Sequence, residues 1–372
     1  MDKLIAFEIK KFIKQRKNII LIITILLLTG TYAFYCKYLD KANSINEIRM
    51  EEFNIESLKQ ALNNIDESDS ENPVYKNFKS ELDLRENKLT ALRSNNWKEA
   101  LEKDIDIYNL MLSTNSTILG SVQSLKWEIT KNQYLIDNNI KPINDEYSTE
   151  AINFTKNIIK VLFPTLIIFF IIIINSDIIS KEYDFGTIQI LMYQIKSRKK
   201  IFLYKFLFIL ALDIIIILFL FLFFFIINTL INGFGNFNYP LMVIEKGNYI
   251  LNTQSYFLSK NIILIILSII FLSSLTITIS SISENSINAI TISITTILIL
   301  FILEYIINAP YIIKVLNPYT YFNSYKVVGG LNYDLYKNLP INLITGSIVL
   351  ISYSSLLLFF GYRKFKYKEI LY

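Results

Sequence analysis

The sequence contains no histidine and a single cysteine, Cys36. Without histidine the chain cannot use imidazole for acid–base catalysis or proton relays, and it cannot build a zinc site of the HExxH type. One cysteine forms neither an intrachain disulfide nor a cysteine-based metal cluster. We therefore expect no catalytic residues, no metal and no cofactor in this chain.

Glycine is also sparse, with ten residues, and the sequence has no GxxxxGK[ST] phosphate loop. That loop is the backbone cradle with which many ATPases hold nucleotide phosphates. The chain therefore offers no means of hydrolysing a nucleotide. If the protein works against a gradient, the energy must come from a partner subunit or from an ion gradient.

Long apolar runs dominate what is present, since 52% of the 372 residues are hydrophobic. About 20 residues are needed to cross a hydrocarbon core of about 30 Å. Six runs meet this requirement and predict an all-α polytopic membrane protein. The predicted spans are 19–36, 158–179, 204–230, 260–282, 287–308 and 341–361. No small-residue cleavage site follows the first run, so we expect an uncleaved span rather than a signal peptide.

Basic residues indicate the orientation of these spans. Lysine and arginine are concentrated in the N-terminal tail, the loop after the second span and the C-terminal tail. The short loops 231–259 and 309–340 contain only four lysines between them. Because short basic segments stay on the cytoplasmic side, both termini are predicted to be cytoplasmic.

A large polar insertion, residues 37–156, separates the first two spans and is predicted to be extracellular. It holds 21 acidic and 15 basic residues, with apolar residues at helical spacing. We expect a helical hairpin or small bundle, interrupted near Asn63–Pro73. The insertion is either a solvated spacer or a domain that senses a substrate or partner. The predicted domains are thus 1–36, 37–156 and 157–372.

The tail before the first span is amphipathic. Ile5, Ile9, Phe12 and Ile13 share one helical face, and lysines occupy much of the remainder. Such a helix favours the headgroup region of an anionic inner leaflet. The alternative is a basic tail that serves only the orientation of the first span.

Residues 180–203 form a polar, basic segment between the second and third spans. One helical face carries apolar residues at the spacing i, i+3, i+4 and i+7, namely Ile188, Leu191, Met192 and Ile195. A cluster of basic residues follows, namely Lys196, Arg198, Lys199 and Lys200. A short amphipathic helix held at a membrane surface suits docking into a groove on a soluble partner. The alternative is a helix that lies on the membrane without a partner.

Few ionisable groups lie within the predicted spans, where each costs about 2.5–3.5 kcal/mol at a helix centre. Asp213 is the main exception, about nine residues into the third span. It is a candidate for the transport path, and the alternatives are a structural pairing with a neighbouring helix or a side chain that extends to the membrane surface. Asp177 and Glu304 are expected near the membrane surfaces, and Pro164 is expected to kink the second span.

The residues Lys181 to Leu191, KEYDFGTIQIL, resemble the glutamate–spacer–Gly-Thr–apolar pattern of ABC-2-type permeases, the membrane subunits of bacterial ABC transporters. The following Ser197-Arg198 pair and Lys205 are similar to the residues that open the next span in that family. The family often has a proline before this serine, and Gln194–Lys196 stand there instead. Asn317-Pro318-Tyr319 resembles an external segment that partly re-enters the membrane. The resemblance covers residues 1–36 and 157–372.

The resemblance implies a dimer of permeases in a bacterial plasma membrane, driven by separate ATPase subunits that bind the ATP. It also implies that the segment after the second span is a coupling helix. The residues carried over as facing the ATPase are Glu182, Gly186, Thr187, Leu191, Arg198 and Lys199. The expected substrate is hydrophobic or amphipathic, a peptide or a lipid-like molecule, and no nucleic acid is expected to bind. The alternative function is a membrane sensor or immunity protein that binds an extracellular peptide and signals to a cytoplasmic partner.

Overall fold

The computed structural model describes the chain in seven stretches, 2–64, 72–114, 122–195, 197–245, 247–306, 311–332 and 340–368. These residues form two compact units. The membrane unit comprises Met1–Tyr32, Phe154–Gly233 and Leu258–Tyr372. The insertion unit comprises Ala33–Asn153 and Phe234–Phe257.

The described elements are mostly helices. In chain order the helices up to the middle of the chain are α1 (Asp2–Lys14), α2 (Arg16–Asn63), α3 (Pro73–Arg93), α4 (Trp97–Ser113), α5 (Val122–Asp137), α6 (Ala151–Asn157), α7 (Ile168–Asn175), α8 (Ser180–Asp184) and α9 (Ile188–Gln194). The later helices are α10 (Arg198–Asn232), α11 (Gln254–Ile282), α12 (Ser286–Tyr305), α13 (Tyr311–Leu316), α14 (Ser324–Val328) and α15 (Leu343–Tyr367). Two strands, β1 (Pro240–Glu245) and β2 (Asn248–Thr253), lie between α10 and α11.

Within the described stretches, six helical segments are long and apolar enough to cross a membrane. They are Arg16–Asn63, Ala151–Asp184, Arg198–Asn232, Gln254–Ile282, Ser286–Tyr305 and Leu343–Tyr367. Each coincides with one of the predicted runs, which confirms the mostly helical, polytopic class. The second and fourth segments are the most enclosed, with 61% and 67% of their most apolar windows buried. They therefore form the centre of the membrane unit.

Helix α2 is 48 residues long, and it therefore extends about 72 Å. The sequence predicts the end of the first span near Cys36, whereas the helix continues without a break to Asn63. Hydropathy shows where the apolar side chains end. It does not show where the helix ends, because the polar residues that follow are also good helix formers.

The second span is irregular where the sequence predicts a kink. Residues Ile158–Ile167 form a π-helical stretch that contains Pro164. Proline has no backbone N–H and clashes with the preceding turn, so a regular α-helix cannot continue through it. The Tyr319 hydroxyl donates a hydrogen bond to the Pro164 carbonyl oxygen at 2.8 Å. A buried tyrosine thus satisfies a backbone acceptor at the irregularity.

The insertion unit contains the predicted helical bundle. Helix α4 packs against both α3 and α5. Ile107, Met111 and Leu125 form a buried cluster between α4 and α5. Residues 65–71 and 115–121, which include most of the Asn63–Pro73 break, lie outside the described residues.

A β-hairpin completes the insertion unit and departs from the predicted all-α class. Strands β1 and β2 pair antiparallel, from Pro240 opposite Thr253 to Glu245 opposite Asn248. The hairpin packs against α5, and the Gln123 side chain donates to the Gly247 carbonyl at 2.9 Å. The sequence of β1, PLMVIE, lacks the alternation that identifies a half-buried strand, since four of its residues are buried.

Candidate functional site

One end of the membrane unit brings together four parts of the chain that are distant in sequence. They are α1, the segment after the second span, the turn between α11 and α12, and the end of α15. The Asp184 carboxylate accepts a hydrogen bond from the Ser286 backbone N–H at 2.8 Å. Arg198 donates to the Lys368 carbonyl at 2.7 Å. Lys11 of α1 forms an ion pair with Glu182. The first and last described helices therefore reach the same end of the unit as the 180–203 segment.

Within this segment, a sharp turn separates α8 from α9. Gly186 has a φ of 64°, a left-handed conformation that costs glycine little and a bulkier residue more. A Cβ atom at Gly186 would meet nothing within 4 Å, so the backbone conformation alone accounts for the glycine. Thr187 donates its hydroxyl hydrogen bond to the Glu182 carboxylate across the turn. Lys196 lies outside the described residues.

The predicted apolar stripe of α9 is present but not free. Ile188 and Leu191 are 3% and 5% exposed and pack in a cluster that includes Phe202 and Phe365. Met192 and Ile195 pack against the same cluster. The stripe, including Leu191, is therefore packed within the chain, and its contact with a partner stays a prediction. Helical periodicity identifies a face that is buried, but it does not identify what buries it.

Three large apolar side chains of the segment are exposed. Phe185, the C-cap residue of α8, is 67% exposed, and Ile190 and Tyr193 of α9 are 58% and 89% exposed. None of the three was singled out from the sequence, although the spacing of Ile190 and Tyr193 places both away from the Ile188–Leu191 stripe of α9.

Glu182 lies at the centre of a buried ion network, which we call the junction network. Its carboxylate is 2.5 Å from the Lys11 ammonium and 2.7 Å from the Lys205 ammonium. Glu8 also pairs with Lys205, at 2.6 Å. Glu8, Glu182 and Lys205 are at most 2% exposed. The network joins α1, α8 and α10, and two carboxylates balance two ammonium groups, as buried charges require.

Glu182 is thus buried within the chain, and the expectation that it faces the ATPase stays a prediction. The sequence singled out Glu182 and Lys205 through family resemblance, and it missed Glu8 and Lys11. Glu8 offered one signal, because it is an acid within a stretch rich in lysine. Its partner Lys205 is 197 residues away, and a single sequence does not reveal such a pairing.

A second ion group lies beside the junction network. Asp177 is 5% exposed, and it pairs with Lys17 at 2.8 Å and with Lys181 at 3.5 Å. A cavity of about 20 Å³ adjoins both groups and is lined in part by Lys11 and Asn18. This volume suffices for one or two water molecules.

Arg198 and Lys199, the two basic residues predicted to face the ATPase, have different environments. Lys199 is exposed. Arg198 instead donates its guanidinium hydrogen bonds within the chain, to the carbonyl oxygens of Phe365, Lys366 and Lys368. Arg198 thus has acceptors within the chain, and its contact with the ATPase stays a prediction. The carbonyls of Phe365 and Lys366 belong to the last turn of α15 and have no donor within that helix.

Asp213 is 1% exposed and connects three central spans. Its carboxylate accepts hydrogen bonds from Asn175 at 2.7 and 2.8 Å and from Ser273 at 2.8 Å. A cavity of about 10 Å³ lies beside it and is otherwise lined by apolar side chains. Asp213 thus pairs with side chains on two neighbouring helices, which is the arrangement that a structural role needs. A role of Asp213 in transport stays a prediction.

The Asn317-Pro318-Tyr319 segment is enclosed by other parts of the membrane unit. It opens a 3₁₀ turn, Pro318–Phe322, in which Tyr321 and Phe322 are fully buried. The Asn317 side chain donates to the Leu300 carbonyl in α12 at 2.9 Å. A Cβ atom on Gly346 would approach the Tyr321 ring to 2.5 Å, so the glycine permits α15 to lie against this turn. Glu304 accepts a hydrogen bond from the Thr320 hydroxyl in the same turn.

Comparison with known protein families gives one match. The sequence profile of a family described as "ABC-2 family transporter protein" matches residues 3–360. The match covers nearly the whole chain and includes both units. Comparison with curated proteins and with solved structures gives no significant match.

Proposed function

The chain belongs to the ABC-2 family of transporter proteins, and we propose that it is the permease subunit of an exporter. Membership in this family implies a membrane subunit that works with an ABC ATPase. The proposed substrate is hydrophobic or amphipathic, a peptide or a lipid-like molecule. The observation that carries the proposal is the 180–203 segment, which presents an exposed apolar face and is anchored from within by Glu182.

The ATPase docks, in this proposal, on the face formed by Phe185, Ile190 and Tyr193. Large aromatic side chains dominate the binding energy of many interfaces. Large apolar side chains that are exposed together often mark a surface that a partner covers. Gly186, Thr187 and Lys199 border this face, whereas Glu182 and Leu191 hold its shape from inside the chain.

The substrate path lies, we propose, at an interface with a second permease subunit. The cavities beside the junction network and beside Asp213 hold about 20 and 10 Å³. A site for a small organic ligand occupies about 300–1,000 Å³. Neither cavity has room for a peptide or lipid, so transport needs another conformation or a surface completed by a second copy.

The orientation proposed is that of a plasma membrane protein with both termini in the cytoplasm. Three basic regions support it, namely the N-terminal helix, the 180–203 segment and the end of α15. Contacts bring the three to one end of the membrane unit. The short-loop charge rule places such an end on the cytoplasmic side.

The function is tested by purifying the tagged chain from its own cells and reconstituting the purified material in vesicles. We expect a P-loop ATPase to co-purify and ATP to drive transport of a fluorescent amphipathic peptide or of a fluorescent phospholipid analogue. The two probes separate the peptide and lipid-like substrate classes. If no ATPase co-purifies and neither probe moves, the exporter proposal is wrong.

The docking face is tested by Tyr193→Ala, which removes the most exposed aromatic side chain of the segment. Loss of an interface anchor costs about 2 kcal/mol or more, so the co-purified ATPase should fall at least tenfold. Tyr38→Ala is the matched control, because Tyr38 is an exposed tyrosine of the insertion unit. Equal amounts of ATPase with both variants would contradict the assigned face.

A further inference from the structure

The end of α15 is bound to the 180–203 segment and to α11 by two basic side chains. The Lys368 ammonium donates to the carbonyl oxygens of Ser281 at 3.2 Å and Ser283 at 2.5 Å. The same ammonium lies 4.1 Å from the centre of the Tyr183 ring in α8. Lys368 therefore contacts both the 180–203 segment and the end of the fourth span.

Arg198 makes the reciprocal connection. It stands at the first residue of α10, and its guanidinium lies 2.8 Å from the Lys366 carbonyl and 2.7 Å from the Lys368 carbonyl. Both cations thus bind carbonyl groups at a helix C-terminus, where the helix dipole favours positive charge. Charge-assisted hydrogen bonds of this kind are about twice as strong as neutral ones.

Helices α11 and α15 are in backbone contact beside these cations. A Cβ atom on Gly361 would lie 2.6 Å from the Thr278 hydroxyl oxygen. The Thr278 hydroxyl donates to the Leu357 carbonyl at 2.8 Å. Helices that approach so closely have little freedom to slide, so a force on the end of one is transmitted to the other.

We propose that Arg198 and Lys368 form a clip that transmits movement of the 180–203 segment to the ends of α10, α11 and α15. The inference rests on the proposed function, because it assigns a role in coupling to residues behind the docking face. Both are positioning residues, since neither belongs to the exposed docking face. An ATPase that displaces α8 and α9 then moves α10, α11 and α15 through Arg198 and Lys368. It also moves α1, through the contact between Glu182 and Lys11.

The test uses the permease–ATPase complex in proteoliposomes and two readouts. The first is the amount of ATPase that co-purifies with the permease, and the second is the stimulation of ATP hydrolysis by the permease. We expect Lys368→Met and Arg198→Met to keep co-purification within about twofold and to lower stimulation about tenfold, the scale of one lost charge-assisted hydrogen bond. Lys368→Arg, which can still donate to both carbonyls, should restore stimulation.

Two matched controls remove a nearby exposed ammonium by the same substitution. They are Lys364→Met in the last turns of α15 and Lys200→Met in the first turn of α10, and both should behave as wild type. If Lys368→Met does not insert into the membrane, Lys368→Gln tests the same contact with a side chain that still donates hydrogen bonds.

The outcomes separate the clip from the proposed function. Unchanged stimulation in both methionine variants overturns the clip and leaves the exporter proposal standing. If the methionine variants lose co-purification and stimulation together, and Lys368→Arg restores neither, the clip is also overturned. The two cations would then serve only the folding of the chain. A wild-type chain that binds no ATPase overturns the proposed function and the clip together.

Discussion

The two units of this protein each bury a group of ion pairs, and the groups are built differently. In the membrane unit, the junction network joins residues up to 197 positions apart on three separate elements. In the insertion unit, Arg85 and Lys88 of α3 pair with Glu51 of α2, only 34 and 37 positions away. Lys88 also pairs with Asp104 of α4, at 2.7 Å.

Their distances along the chain indicate different roles. The pairs of the insertion unit connect neighbouring helices of a bundle and fix the register in which those helices pack. The junction network instead joins the N-terminal helix, the 180–203 segment and the third span. Burial is costly for both groups, but only the junction network includes a residue of the 180–203 segment, on which we propose that the ATPase docks.

The strongest test of this difference is Lys205→Met. The substitution leaves Glu8 without its partner and leaves Glu182 with Lys11 alone, while both carboxylates stay buried. Removing one partner of a buried ion pair costs about 3–5 kcal/mol, so the melting temperature in detergent and the stimulation of ATP hydrolysis should both fall sharply. Lys200→Met, at an exposed lysine of the same helix, is the control. A melting temperature equal to that of the control would show that the junction network contributes little.

A smaller and more local effect is expected of Arg85→Met in the insertion unit. The Arg85 side chain is 8% exposed and pairs with Glu51 and Glu81, but Glu51 retains Lys88. We expect a loss of about 2–3 kcal/mol in stability, measured by thermal unfolding of the whole chain, with stimulation of ATP hydrolysis unchanged.

Arg93→Met provides the matched control for that variant. Arg93 pairs with Glu52, but their side chains are 61% and 45% exposed, so the change in stability should be at most about 0.5–1 kcal/mol. If Arg85→Met lowered ATP-hydrolysis stimulation as much as Lys205→Met, the assignment of separate roles to the two ion groups would have to be abandoned.

The sequence predicted the parts of this fold that depend on local patterns. The apolar runs located the membrane-spanning helices, because their length and composition satisfy a physical requirement of the bilayer. The glycine of the Asp184–Phe185–Gly186 turn also agreed with the structure, since its φ of 64° is a conformation that glycine adopts at little cost. The β-hairpin was missed because β1 is a nearly continuous apolar run, which periodicity cannot assign to a strand.

The candidate site was predicted less well, because its arrangement depends on contacts between distant residues. The position of the 180–203 segment was predicted from its charges and motif, but the orientation of α9 was not. Leu191 and Arg198 were expected to contact a partner, and the structure shows contacts of both within the chain. A sequence pattern indicates that a side chain is buried against another surface. Only the tertiary structure shows whether that surface belongs to the same chain.

An effect smaller than those of Lys205→Met and Arg85→Met is expected at Thr187, which donates a hydrogen bond to Glu182 from the far side of the Gly186 turn. Thr187→Val removes this donor and keeps the shape of the side chain. Glu182 retains both ammonium partners, so we expect a loss of only about 1 kcal/mol in stability. Thermal unfolding measures this loss, and Thr295→Val is the control because that hydroxyl bonds only to its own helix, at the Thr291 carbonyl. If Thr187→Val nevertheless abolished stimulation of ATP hydrolysis while the control did not, the turn itself, rather than the ion pairs behind it, would be the element through which the two subunits are coupled.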